Sequence, residues 1–311
     1  MAGGGIPAPH RFGGQVSDVH ALRAQADFTT ARTKAFFRDL LALLTGRRNK
    51  LLSYDEVREK LRVGGPIYRG VQTVLLDKIV GTVNRYQDFD RAFLPTQGHT
   101  ASRWQRVSRA WYDEVSLPPI VLYQVGDIYF VVDGHHRVSV ARENGQAYID
   151  AEVRECQVKV PVTPDLDPDD LEELGAKVMF LERTGLDQLR PQADISVTIL
   201  GGYDRMLEHI AVHRYFMGLD FQRDVSEREA VEHWYDTVYL PVVNVIRESR
   251  VMQAFPRRTE ADFYLWAMDH RHYLVSRGKA NLVEPGRIAD EFVKLYFHEA
   301  TQGPPDALPA G

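Results

Sequence analysis

The stretch Ile128-Tyr129-Phe130-Val131-Val132-Asp133-Gly134-His135-His136-Arg137 constrains the fold most, because an apolar, β-rich run ends abruptly in a polar turn that opens a helix. Ile120-Val121-Leu122-Tyr123 precedes it, and Val125-Gly126-Asp127 between the two runs is a glycine-containing reversal, so the pair reads as a β-hairpin. Beyond it, Val138, Val140 and Ala141 lead to Asn144-Gly145, a helix stop with glycine at the left-handed position. Residues 133–137 are therefore expected between a strand end and a helix N-terminus. There the first amides lack helical partners and the dipole is positive, which attracts anions. Gly134 lets a ligand come close, His135 and His136 offer hydrogen bonds to phosphate oxygens, and Arg137 offers a planar charged fork. Asp133 is the candidate Mg²⁺ ligand or base, and with His135 and His136 it makes the candidate catalytic set. The structural alternative has Asp133 capping the helix and Arg137 pairing locally.

Asp133-Gly134-His135-His136-Arg137 after a hydrophobic hairpin resembles the signature of the ParB/sulfiredoxin superfamily, whose members bind nucleotides at this turn. Sulfiredoxins carry Gly-Cys-His-Arg, which sets His135 at the cysteine while His136 and Arg137 match. With the thiol missing, sulfinic acid reduction is not implied. Chromosome-partitioning ParB proteins carry Gly-Glu-Arg-Arg, matched by Gly134 and Arg137. Free-serine kinases of the superfamily carry Asp-Gly-His-x-Arg, which Asp133, Gly134, His135 and Arg137 fit, so the kinase-like form is nearest by motif. The resemblance takes in Val74–Val80 as a first strand, Leu117-Pro118-Pro119-Ile120 as the lead into the hairpin, and Ile149–Val153 as the next strand. It implies an α/β (α+β) ParB/sulfiredoxin-like N-terminal domain joined to a mainly helical C-terminal domain, an architecture of bacterial chains that specifies no activity.

At 311 residues, 44% hydrophobic and 26% charged, the chain is long enough for two domains of ordinary soluble composition. We expect a flexible tail at 1–27, the ParB/sulfiredoxin-like domain with N-terminal helices at 28–162, a mainly α-helical domain at 163–300 and a disordered tail at 301–311. Two prolines and two acids in Val162-Thr163-Pro164-Asp165-Leu166-Asp167-Pro168 mark the boundary, with Asp167 as cap and Pro168 opening the next helix. A single cysteine, Cys156, excludes an internal disulfide and a cysteine-rich zinc site. With no secretion-signal pattern and no apolar run of the ~20 residues a span needs, a cytoplasmic protein without membrane contact is expected.

Charge is polarised: residues 31–110 carry 16 Lys and Arg against 7 Asp and Glu, a surplus of 9, although the whole chain is at −5. Such a half suits a nucleotide or nucleic acid, while the acidic remainder argues against unspecific DNA binding. Trp104, Val107, Trp111 and Val115 form an apolar helical stripe, and Arg103, Arg106 and Arg109 lie off it within reach of a phosphate. Gly81–Arg91, polar with interspersed aromatics, is the candidate second wall of the site, with Arg85, Asp88, Asp90 and Arg91 as contributors. Arg91 joins Gly134, His135, His136 and Arg137 as a candidate phosphate ligand.

Elsewhere the patterns predict structure. Phe36, Phe37, Leu40, Leu41 and Leu44 give a helix from about Phe28, and Ser53 with Glu56 caps a second. Ile195–Leu200 reads as a strand, and helices follow to Phe216, at 226–250 with a break at Pro241, and at 259–277. His209 and His213 share a helical face without the glutamate of a metalloprotease. The dense C-terminal aromatics are expected to pack between helices.

Two functions compete. One is a nucleotide-binding enzyme, with ATP, ADP or CTP as ligand and Mg²⁺ as companion, moving phosphate to or from a small-molecule acceptor. The other is a ParB-like, nucleotide-gated protein that regulates binding to DNA or a protein without catalysis; no helix-turn-helix follows the module, which weighs against it.

Overall fold

The computed structural model describes residues 13–45, 49–276, 286–287 and 292. The chain is mixed α/β and divides into two compact units between Leu171 and Glu172. The expected boundary at 162 falls short because the next residues stay tied to the first unit: Leu166 is buried, and its carbonyl accepts from Arg91 Nη2 at 2.9 Å.

In the first unit β1 (Leu52–Ser53), β2 (Pro66–Leu75), β3 (Ile79–Thr82), β4 (Ile120–Val125), β5 (Ile128–Asp133) and β6 (Tyr148–Cys156) form one mixed sheet in the order β1-β3-β5-β4-β6-β2. The expected hairpin is β4–β5, with Val125 opposite Ile128 across a two-residue turn in which Gly126 takes a φ of +57°. β3 runs parallel to β5, Thr82 beside Val131, so the carboxyl ends of both strands emerge at one edge of the sheet. Val74–Val80 is not the single strand predicted. β2 ends at Leu75, the polar pair Asp77-Lys78 sits in a helical turn over Leu76–Lys78, and β3 starts afresh at Ile79. β2 instead reaches back to Pro66 at the rim of the sheet, where a residue without an N–H is tolerated.

One face of the sheet buries Ile79, Ile120, Leu122, Val131, Ala151 and Val153 against Phe89 and Phe93 and against Val138 and Ala141 of α4 (His135–Glu143). Each of the isoleucine, leucine, valine and phenylalanine side chains contributes roughly 1.5–3 kcal/mol by leaving water. α1 (Gly13–Thr45) begins well before Phe28, so residues 13–27 are helical and not the tail expected there. Its buried face is Ala24, Phe28, Ala31 and Ala35, of which the last three pack with Trp104 of α3 (Ala101–Tyr112) and Val140 of α4. The Phe36, Phe37, Leu40, Leu41 and Leu44 set whose spacing signals the helix is exposed. Trp104 Nε1 donates to Ser139 Oγ at 2.8 Å, which locks α3 to α4. α2 (Tyr54–Lys60) has the expected cap, Ser53 Oγ accepting from Glu56 N–H.

The second unit is helical, with α5 (Leu171–Thr184) running into it, then α6 (Leu186–Leu189), α7 (Gly202–Phe221), α8 (Glu227–Trp234), α9 (Leu240–Ser249) and α10 (Glu260–Ser276). A π-helical turn over Tyr235–Tyr239 divides α8 from α9 just before Pro241, the break expected from a residue that cannot donate. Ile195–Leu200 is not a strand. Its alternation is real, with Ile195 and Val197 buried, but its amides bond to side chains: Val197 N–H to the Tyr203 hydroxyl and Thr198 N–H to Asp262 Oδ1. Trp234, Tyr239 and Tyr264 pack ring to ring as expected, and Trp234 Nε1 donates to the Tyr264 hydroxyl at 3.0 Å. No described helix is long and apolar enough to cross a membrane. The expected tail at 301–311 lies outside the described residues.

Candidate functional site

Gly134 stands at the N-cap of α4 with φ +105°, a conformation that L side chains rarely adopt, and a Cβ there would lie 2.4 Å from Ile120 Cγ2. Its glycine is needed for the turn itself and for packing against the hairpin. Asp133 makes no cap bond. The expected strand end, turn and helix start are all present, and the α4 N-terminus opens into a cavity of about 420 Å³. Its walls are Asp133 to Arg137, Val132, Asn84 and Arg85 from beyond β3, and Arg103, Arg106 and Val107 of α3. That size suits a small ligand.

Four guanidiniums thus face one cavity with Asp133 as the one carboxylate in its walls. Arg103 and Arg106 are exposed and have no ion-pair partner among the described residues. Arg85 makes a long 3.4 Å contact with Asp88, which also lies 3.3 Å from His99. Arg137 behaves otherwise than predicted. Its Nη1 donates to the carbonyls of Pro118 and Pro119, the latter at 2.9 Å, and its Nη2 donates to Asp133 Oδ2 at 2.6 Å. The fork expected for phosphate is committed to pinning the lead into the hairpin, in line with the local-pairing alternative.

His135 and His136 are buried under the cavity floor, and both contact Phe89: His135 stacks on the ring at 6.0 Å and His136 meets it edge-on at 5.3 Å. Thr82 Oγ1 lies 2.7 Å from His135 Nε2 and already accepts the amides of Asn84 and Arg85. The Thr82 hydroxyl also lies 3.4 Å from the Val131 carbonyl, which can take its proton, so the direction of the 2.7 Å contact follows the His135 tautomer. Burial, then the charge of Arg85, holds the His135 pKa down to about 4. The same two causes, with Arg103 next, bring His136 to about 4. His136 Nδ1 is buried and has no hydrogen-bond partner, although burying such an atom unpaired is costly.

Of the other predicted residues, Asp90 is wholly buried and accepts the amides of Ala92 and Leu94, so it builds a loop. Arg91 is bonded to Leu166 and is not among the cavity walls. Asn84 and Thr82 lie in the Gly81–Arg91 wall expected from the sequence but were not among its named contributors; the signal for Thr82 is its place at the end of an apolar strand, visible only once β3 is known to lie parallel to β5. For Mg²⁺ the donor set does not fit a resident ion: Asp133 is held by Arg137, and among the described residues no group of three His, Cys, Asp or Glu is placed to hold a metal. His209 and His213 do not converge either; His213 Nε2 meets His233 Nδ1 at 2.8 Å and His209 Nδ1 lies 3.2 Å from the Tyr264 hydroxyl.

A larger groove of about 1170 Å³ lies along α1, but the cations in it are paired, Lys34 with Glu143, Arg38 with Asp90, and Arg142 with the carbonyls of Leu76 and Ile79. The cavity at Gly134, by contrast, presents Arg103 and Arg106 without an ion-pair partner among the described residues. Neither a known protein family nor a curated protein matches the chain.

Proposed function

We propose that the first unit binds a nucleotide through its phosphates at the α4 N-terminus. The observation that carries this reading is the convergence of Arg85, Arg103 and Arg106 on the free amides of that helix, around a single carboxylate. Phosphate oxygens would take the α4 amides and the guanidiniums of α3, and charge neutralisation would come from arginine. Binding is better supported than transfer. Both histidines are neutral at pH 7, and with pKa values near 4 they are weak bases. A phosphotransferase acting on a small molecule would have to take its base from Asp133, released from Arg137 by the ligand.

The test is thermal unfolding of the full chain with ATP, ADP, GTP and CTP, with and without Mg²⁺, beside the double variant Arg103→Ala, Arg106→Ala. A ligand at 100 times its Kd adds about 2.7 kcal/mol to the folded state, a rise of several degrees. The double variant should keep its own Tm and lose the rise. No rise with any nucleotide, or a full rise in the double variant, would refute the reading.

A further inference from the structure

We infer that the nucleobase of this ligand is held in a second cleft, adjoining the cationic cavity, with Trp111 as its stacking platform; this rests on the nucleotide reading of the cavity. The cleft, of about 330 Å³, shares Val107 and Arg137 with the cavity as common wall, and its other walls include Trp111, the Leu117-Pro118-Pro119 run, Gln146, Tyr148 and Asp150, whose carboxylate accepts from the Thr73 hydroxyl at 2.8 Å. The two spaces differ in chemistry. One presents guanidiniums and helix amides, the other an indole, a phenol ring and prolines.

Geometry on α3 joins them. Arg103, Val107 and Trp111 recur every four residues and lie on one side of the helix, so eight residues at 1.5 Å each carry the chain about 12 Å from the phosphate end to the indole. That is the reach of an extended mononucleotide from its terminal phosphate to its base. The sequence stripe that suggested a buried tryptophan face splits here. Trp104 is fully buried, whereas Trp111 is 38% exposed at the cleft and Tyr148 is 54% exposed. Such aromatic surface, beside a cation-lined cavity, suits a planar ring more than an alkyl chain. Gln146 supplies an amide with donor and acceptor for the edge of a base. Arg137, pinned by the Pro118 and Pro119 carbonyls, fixes the wall between ring and phosphates.

Calorimetric titration of the full chain with ATP, GTP and CTP, and with inorganic tripolyphosphate, separates the two sites. In Trp111→Ala, the affinity for the nucleotide that binds best should fall about tenfold, while tripolyphosphate stays within about twofold. Trp111→Phe should recover most of the loss, which a merely unfolded α3 would not allow, and nucleotide but not tripolyphosphate should quench the Trp111 fluorescence. Equal loss of both ligands in Trp111→Ala, or no loss of either, overturns the inference and leaves the cationic cavity standing. If neither nucleotide nor tripolyphosphate binds the wild-type chain, the nucleotide reading fails and this inference with it.

Discussion

Gly134 carries two demands at once, a positive φ and a backbone too close to Ile120 for a methyl group. Gly134→Ala is therefore expected to cost about 2–4 kcal/mol in urea unfolding, beyond the usual loss for a surface substitution. Arg137→Ala removes the bonds to Pro118, Pro119 and Asp133, and should destabilise by about 2 kcal/mol whether or not ligand is present. Arg137→Ala that left stability untouched but abolished nucleotide binding would return that guanidinium to the phosphates. The histidines give a pH dependence of definite sign. Unfolded histidine titrates near pH 6.5, whereas folded His135 and His136 stay unprotonated down to about 4, so between these limits the unfolded state holds more protons. The stability they contribute is complete above pH 6.5 and is lost as pH falls toward 4. His136→Phe should flatten the fall in unfolding free energy measured between pH 6.5 and 4.5; an unchanged slope would place the titration elsewhere.

At the level of elements, hairpin, turn and following helix were legible in the sequence because each is signalled locally, by an alternating apolar run, by Gly126 and Gly134, and by Asn144-Gly145. What was not legible depends on partners distant in the chain. Ile195–Leu200 has the alternation of a strand, yet its amides go to Asp262 and Tyr203, which no spacing reveals. Arg91 and Arg85 sit in one polar segment with equal claims, and only the fold sends the first to Leu166 and the second to the cavity. α3 illustrates the same limit, since periodicity marks its apolar residues but not which of them the neighbours cover. Its arginines are accessible to substitution for that reason. Arg103→Glu with Arg106→Glu should shift Tm by no more than about a degree and abolish binding of any phosphate ligand, with charge reversal stronger in effect than alanine.

Across the whole molecule, the two units are held by different means. The first is a sheet with helices against it, the second a set of helices centred on aromatic rings and on Asp262, a fully buried carboxylate. Asp262 accepts Thr198 N–H at 2.8 Å, the Thr198 hydroxyl at 2.6 Å and Thr259 N–H at 3.0 Å, the last with Thr259 Oγ1 accepting Asp262 N–H in return, a reciprocal cap at the start of α10. Asp262→Ala should leave buried donors unpaired and cost about 3 kcal/mol. Hydrogen exchange checks where the cost falls: amides in residues 195–276 should exchange faster while those of β4, β5 and α4 keep their rates.

The Arg137 clamp has a further consequence for how this turn can change over generations. Its hydrogen-bond partners, Pro118, Pro119 and Asp133, lie within one contiguous stretch that ends at Arg137 itself, so the shape of the turn is encoded by a cassette that travels as a piece. The positive charge is encoded outside that cassette, at Arg85, Arg103 and Arg106. On the proposed reading, descendants of such a chain can exchange an anionic ligand for a neutral one by altering three side chains and keep Asp-Gly-His-His-Arg intact. The string by itself encodes a scaffold, and the charge around it is encoded elsewhere.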